Sequence, residues 1–314
     1  MVITTFIVQV LATSVMLAFS PDFQDLMLQS PDSGLSSTEN LVDNEEYTQM
    51  IEDLSSRHLG LIQIIATLAA LPWLLFIRGK KLFTHDFVVV NQKANPLSLL
   101  KILVLMLGVA CASSLVSMVL EPLLEQLGLS LTDALSETFE MLFTDPLGVV
   151  YAMLLGPIFE EIIFRGAILN RLSRHGHNFA IVTSALLFGA YHMFLIQGFN
   201  AFFLGVILAY VASRYSLKWS MVLHIVYNSI VIGVSFLGEV GIDADIVSWV
   251  LMGLCLVITI VMLIIKRKEI PRVRQMGLPQ TPRPFRIAFT SPFLIILLVG
   301  LLGMGFIFMI PGVF

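Results

Sequence analysis

Long apolar runs separated by short polar segments dominate the pattern along this 314-residue chain. A continuous apolar run of about 18 residues or more can cross a bilayer as an α-helix. The runs do not alternate in steps of two, which argues against a transmembrane β-barrel. The pattern therefore predicts an all-α, polytopic membrane helix bundle with about nine transmembrane helices. The predicted spans are approximately 2–19, 59–77, 102–120, 147 to beyond 164, 179–196, 199–213, 219–237, 246–265 and 287–310.

The spacing of the apolar runs indicates two places where the chain reverses direction. The sixth span is the short one, and the chain is expected to reverse before it near Gln197 and Gly198. The fourth and fifth spans are taken to form an antiparallel hairpin that turns near Gly176.

Composition supports a membrane protein and argues against a soluble domain, a nucleic-acid-binding protein and a disulfide-stabilised scaffold. Hydrophobic residues make up 57% of the chain and charged residues 13%, whereas a soluble domain carries roughly 25% charged residues. The net charge of −4 and the absence of a long basic tract argue against a nucleic-acid partner. Cys111 and Cys255 both lie in apolar runs, so a disulfide scaffold is also excluded.

The charges of the connecting segments alternate along the chain. Residues 20–57 hold nine acidic residues and one base, and residues 121–145 hold six acidic residues and no base. Because Lys and Arg mark the cytoplasmic side of a membrane protein, the pattern predicts a cytoplasmic N-terminus and places 17 of the 18 Lys and Arg residues inside. The predicted cytoplasmic segments hold Arg78 to Lys101, then Arg165, Arg171 and Arg174, then Arg214 and Lys218, and finally Lys266 to Arg286.

Two adjacent glutamates stand at the end of the fourth span, where ionisable groups are costly and are functional candidates by default. Glu161 and Arg165 are four residues apart, in the favourable acid-then-base order, which favours a structural ion pair. Glu160 points about 100° away from Glu161 and has no basic partner on its own helix. It is therefore the better candidate for a group that accepts and returns protons.

Two histidines and an asparagine on later spans complete the set of candidates. Glu160 lies sixteen residues before Gly176 and His192 sixteen after it, so an antiparallel hairpin brings both to a similar depth. A carboxylate and an imidazole facing each other can activate a water, or can bind a metal with further ligands. His224 and Asn228 are four apart on the seventh span and share a face, where two donors can stabilise an oxyanion.

Three short motifs in this order resemble the CPBP family of intramembrane proteases. The family includes type II CAAX prenyl endopeptidases and bacterial proteins linked to bacteriocin maturation or immunity. The matching stretch covers roughly residues 147–237. The motifs are Glu160-Glu161-x-x-x-Arg165, Phe188-x-x-x-His192 and His224-x-x-x-Asn228.

The resemblance implies a role for each motif residue and a function for the chain. Glu160 and His192 are expected to activate water, His224 and Asn228 to form the oxyanion hole, and Glu161 and Arg165 to support the structure. The family pattern leaves open whether zinc is needed, and Glu160, His192 and His224 would be its ligands. The implied function is an intramembrane endopeptidase whose site opens to the cytoplasm, acting on a peptide or membrane-protein substrate in a prokaryotic plasma membrane.

The predicted spans, the loop charges and the stretch that resembles the family together divide the chain into regions. The expected regions are an N-terminal anchor (1–19), an acidic external loop (20–57), the second and third helices with an external loop (58–145), a catalytic core (146–237) and C-terminal helices with a basic cytoplasmic linker (238–314). The sequence leaves the oligomeric state open. Two alternatives stay open at this point: a non-catalytic membrane scaffold or bacteriocin-immunity protein that binds a membrane partner, and a transporter, although no inverted repeat is visible.

Overall fold

The computed structural model describes residues 45–267 and 283–310, and every regular element in these residues is helical. Five described helices are long and apolar enough to cross a membrane, and a shorter apolar helix spans Leu294–Ile307. The all-α prediction is therefore confirmed, whereas the count of about nine spans is not. The predicted first span, most of the acidic loop 20–57 and most of the linker 266–286 lie outside the described residues.

The described helices are numbered in chain order. They are α1 (Glu45–Arg78), α2 (Pro96–Glu125), α3 (Asp133–Thr144), α4 (Pro146–His175), α5 (His177–Tyr191), α6 (Leu195–Arg214), α7 (Leu217–Ser235), α8 (Ala244–Lys266), α9 (Arg283–Phe289) and α10 (Pro292–Ile307).

The chain divides into two compact units. The first comprises residues 1–76 and 137–155, as far as these are described, and the second comprises residues 77–136 and 156–314. In the first unit, the Asp145 carboxylate caps the start of α4 by accepting a hydrogen bond from the Leu147 amide at 2.9 Å. Its other oxygen accepts from the Gly60 amide of α1 at 2.8 Å, so one buried acid anchors both segments.

The second unit has α6 near its centre. Apolar side chains of α2, α6 and α7 form its largest buried cluster, which includes Met106, Leu208, Val211 and Leu223. Helix α8 packs along α2, where the Thr259 hydroxyl donates to the Val104 carbonyl at 3.4 Å. Intramembrane helices are held by such close packing and interhelical hydrogen bonds, because lipid is as apolar as the side chains.

Helix α4 is irregular where it carries the adjacent glutamates. It winds as a π-helix over Tyr151–Leu155, as an α-helix over Gly156–Glu161, and again as a π-helix over Ile162–Leu169. Pro157 contributes to this, because proline lacks the N–H that an α-helix needs and its ring crowds the preceding turn. Glu160 and Glu161 therefore lie in a short α-helical segment between two wider ones, an arrangement that is frequent at functional sites.

The turn between α4 and α5 lies at Gly176, as expected, with a φ of 130° that favours glycine. The Phe164 and Phe188 rings, each twelve residues from this glycine, meet with their centroids 5.1 Å apart. The Ser184 hydroxyl also donates to the Phe164 carbonyl at 2.9 Å. The two helices therefore form the antiparallel hairpin that the sequence predicts.

The next reversal differs from the expectation. The chain turns at His192 to Phe194, so Gln197 and Gly198 lie inside α6, which has 20 residues, whereas α5 has only 15. The reason is a close approach of two glycines: a Cβ on Gly189 would lie 2.6 Å from the Gly198 carbonyl oxygen. Since the two backbones touch there, the chain has only eight residues in which to reverse.

Candidate active site

The site is built on α4, α5 and α7, and its buried half centres on Glu161. The Glu161 side chain is fully buried, and its Oε1 lies 3.0 Å from Arg165 Nη1. The same oxygen lies 3.0 Å from His224 Nδ1, while Oε2 accepts a hydrogen bond from the Ser220 hydroxyl at 2.5 Å. A buried carboxylate needs such partners to offset the loss of hydration. The predicted Glu161–Arg165 ion pair is therefore present.

The position of Arg165 differs from the expectation drawn from the loop charges. The loop pattern assigns it to the cytoplasmic segment, but its side chain is buried with no exposed surface. Its guanidinium lies 4.3 Å from the centroid of the Phe188 ring, and Nη2 donates to the Gly205 carbonyl at 3.4 Å. Arg165 therefore holds α4 against α5 and α6 and is not a marker of membrane topology, because a charge neutralised inside the bundle is not exposed to the cytoplasm.

Ser220 is the residue of this network that the sequence analysis missed. It is fully buried on α7, and its hydroxyl lies 2.5 Å from Glu161 Oε2 and 3.0 Å from the Leu208 carbonyl oxygen. A hydroxyl has one hydrogen to donate, so only one of these contacts is satisfied at a time. Its position was visible in the sequence, because Ser220, His224 and Asn228 follow one another at intervals of four on one helix face.

The other half of the site is more open. Glu160 keeps 20% of its side-chain surface exposed, and its Oε2 lies 3.7 Å from His224 Nε2. His224 therefore stands between the two glutamates, with one ring nitrogen facing each. The distance to Glu160 is longer than a hydrogen bond, so His224 does not hold this carboxylate as it holds Glu161.

His192 is half-buried at the end of α5, and its environment determines its tautomer. Its Nδ1 lies 2.8 Å from the Phe188 carbonyl oxygen. A carbonyl oxygen can only accept, so Nδ1 carries the hydrogen and donates it. In the neutral ring, Nε2 is therefore left as an acceptor, which is the state that a base or a water-orienting group requires.

The rings of His192 and His224 both pack against the ring of Phe188. The Phe188 ring centroid lies 4.7 Å from that of His192 and 5.8 Å from that of His224. Because α5 has only 15 residues, His192 at its end lies at a similar depth to His224, which is two turns into α7. No hydrogen bond joins Glu160 and His192 in the described part of the chain.

Asn228 is placed one turn beyond His224 on α7 and is half-buried, so the structure keeps the two on one helix face. Glu161 contacts Arg165 and His224, and Glu160 faces His224. His192 is linked to them through the Phe188 ring, against which both histidine rings pack. Within residues 45–267 and 283–310, no group of three His, Cys, Asp or Glu side chains is arranged to hold a metal ion. The predicted zinc set of Glu160, His192 and His224 does not fit a metal in this arrangement.

Comparison with known proteins identifies this part of the chain. Searches of curated proteins and of solved structures gave no significant match. Residues 142–230, which carry all six candidate side chains, match the family model for type II CAAX prenyl endopeptidase, Rce1-like. Such a match implies a membrane-embedded protease with a peptide substrate. The match of residues 142–230 to the Rce1-like model therefore agrees with the resemblance of the three motifs to the CPBP family.

Proposed function

We propose that this chain is an intramembrane endopeptidase in which Glu160 and His192 activate the attacking water. The observation that carries the proposal is the different surroundings of the two glutamates. Glu161 is fully buried with Arg165, Ser220 and His224 as partners, whereas Glu160 is partly exposed and faces His224 Nε2 across 3.7 Å. Glu160 is thus the carboxylate with room for a water.

The chemistry follows from the orientation of these groups. Glu160 takes one proton from the water, and the other hydrogen stays on the oxygen and forms a hydrogen bond to His192 Nε2. The hydroxide oxygen then bonds to the carbonyl carbon of the peptide. The carbonyl π electrons move to oxygen and produce a tetrahedral oxyanion. When the C–N bond breaks, the proton held on Glu160 passes to the leaving amine, and the carboxylate is regenerated.

We assign the stabilisation of the oxyanion to His224 and Asn228. The Asn228 amide can donate a hydrogen bond and is a poor base, which suits charge stabilisation better than proton transfer. His224 donates from Nδ1 to the Glu161 carboxylate at 3.0 Å. Its Nε2 can therefore donate to an oxyanion only when the ring carries both hydrogens.

The proposed mechanism uses no metal ligand, and elemental analysis of purified, active protein tests this point. Stoichiometric zinc would require that Glu160, His192 and His224 rearrange into a three-ligand set. An active preparation that holds less than stoichiometric metal supports the water-only mechanism.

The substrate class is a peptide or the tail of a membrane protein, and we place the opening of the site on the cytoplasmic side. His224 lies six residues after the exposed Lys218, about 9 Å along the helix. Arg171 and Arg174 are exposed at the tip of the α4–α5 hairpin. Reporter fusions after Lys81 and within residues 30–46 test this orientation, because the proposal requires a cytoplasmic signal from the first and an external signal from the second.

Comparative peptidomics of membranes tests the activity whatever the identity of the substrate. Cells that produce the wild-type protein are compared with cells that produce Glu160→Gln. The matched control is Glu125→Gln, the same change at an exposed glutamate at the end of α2. Peptides that disappear only with Glu160→Gln support the protease, whereas a wild-type profile and phenotype for that variant would favour the scaffold alternative.

A further inference from the structure

The turn that carries His192 has a backbone conformation that is unusual for its sequence. Met193 has a φ of 59° and is the one non-glycine residue with a positive φ in the described part of the chain. The Phe194 amide donates to the His192 carbonyl at 2.7 Å, which closes a three-residue turn around Met193. Turns of this kind with a positive central φ are strained and persist only where surrounding structure holds them.

The surrounding structure comes from the C-terminal helix α10, more than 60 residues beyond the Rce1-like region. Gly305 of α10 is buried against this turn, and a Cβ at Gly305 would lie 2.4 Å from the Met193 carbonyl oxygen. Only glycine allows this approach, because the atom that a side chain would meet belongs to the backbone.

Two further contacts hold the same end of α10. The Phe308 ring packs against the ring of Phe194, with centroids 4.8 Å apart. The Met309 carbonyl accepts a hydrogen bond from the Ser130 amide at 2.8 Å, which ties the end of the helix to the loop after α2. Helix α10 is thus fixed at its end while it presses on the backbone between His192 and Phe194.

We propose that α10 is a strap that positions His192, and that Gly305 and Phe308 are the positioning residues. His192 donates from Nδ1 to Phe188 in the preceding helical turn, so the direction of Nε2 depends on where the backbone ends α5. A strap that holds Met193 in its strained conformation sets that direction. The consequence for turnover rests on the proposed function, but the effect on the ring of His192 does not.

The experiment compares Gly305→Ala with Gly303→Ala on the same helix. Gly303 is exposed, and a Cβ there would meet nothing within 4 Å, so both variants carry the same helix-stabilising change and only one disturbs the turn. Purified proteins are treated with diethyl pyrocarbonate at several pH values, and modification of each histidine is measured by mass spectrometry. The exposed His175 serves as the internal reference.

We expect Gly305→Ala to change the rate and pH profile of His192 modification several-fold, with His175 unchanged and Gly303→Ala like wild type. Turnover should fall roughly 10²-fold in Gly305→Ala, the loss expected from a displacement of about 1 Å in a reacting group. If Gly305→Ala does not fold, Phe308→Leu replaces it, since this change removes the ring contact without adding bulk.

The two readouts separate the two proposals. A folded Gly305→Ala, or Phe308→Leu in its place, with wild-type modification of His192 would overturn the strap. Altered modification with unchanged turnover would keep the strap and remove His192 from the catalytic role, which would contradict the proposed function.

Discussion

Two adjacent residues of one helix, Glu160 and Glu161, have very different surroundings. Glu161 is completely buried, and Arg165, His224 and Ser220 surround its carboxylate. Glu160 is one-fifth exposed, and its Oε2 lies 3.7 Å from His224 Nε2. The same chemical group therefore occupies a closed structural network in one case and an open site in the other.

His224 links the buried half of the site to the open half. Its Nδ1 is held by the buried Glu161, and its Nε2 faces the open Glu160. A side chain that is fixed on one edge by a buried network can present its other edge without further reorganisation, which is what electrostatic stabilisation of a transition state requires. We therefore expect substitutions in the open half and in the buried half of the site to have different effects.

Replacing Glu160 or His192, the two residues that we propose activate the water, should have the largest effect on turnover. Glu160→Gln and His192→Ala should each lower turnover by about two to four orders of magnitude, because each removes the general base or the group that orients the water. Thermal unfolding should stay close to that of the wild type, since neither residue belongs to the buried network. The double variant should be little worse than either single variant if the pair acts as a unit. Near wild-type turnover in either variant would remove that residue from the mechanism.

Removing the buried acid should lower stability together with activity. Glu161→Ala leaves the Arg165 guanidinium without its buried counter-charge, a change that typically costs about 3 to 5 kcal/mol. We expect a clear fall in the unfolding temperature and in the yield of folded protein. Glu160→Ala is the matched control, since it deletes the neighbouring carboxylate from the open half. A stable but inactive Glu161→Ala would make Glu161 a direct participant in the chemistry.

Asn228 tests the oxyanion assignment within the open half. Asn228→Ala should reduce kcat roughly 10²- to 10³-fold, equivalent to about 3 to 4 kcal/mol, because one donor to the oxyanion is lost. The KM should change little, and Asn228→Asp should be no better, since a carboxylate repels the oxyanion. A raised KM with a normal kcat would instead identify Asn228 as a substrate-positioning residue.

The smallest effect is expected at Ser220, which supports His224 through Glu161. Ser220→Ala removes the hydroxyl that donates either to the Glu161 carboxylate or to the Leu208 carbonyl, a loss of about 1 to 3 kcal/mol in the free energy of unfolding. Ser220→Thr retains the hydroxyl and should recover part of the loss. Equal stability of Ser220→Ala and the wild type would show that the hydroxyl contributes nothing to the network.

Several features of the site were predictable because they depend on local spacing. The interval of four between Glu161 and Arg165 correctly predicts their ion pair, and the glycine at 176 correctly predicts the hairpin that pairs Phe164 with Phe188. The turn after His192 was not predictable in this way. Its place depends on the contact between Gly189 and Gly198, and the pattern of apolar residues continues through both helices without a break.

The all-helical membrane class and the order of the motifs can be read from the sequence, because hydropathy and helical spacing are properties of neighbouring residues. The residues of the three motifs also carry the resemblance to a protease family. Three features depend on how the helices pack: Arg165 is buried, Ser220 contacts the Glu161 carboxylate, and Gly305 packs against the turn after His192. These contacts join residues 59 to 112 positions apart or depend on how other helices enclose a side chain. No local pattern encodes them, since they arise only when the helices pack.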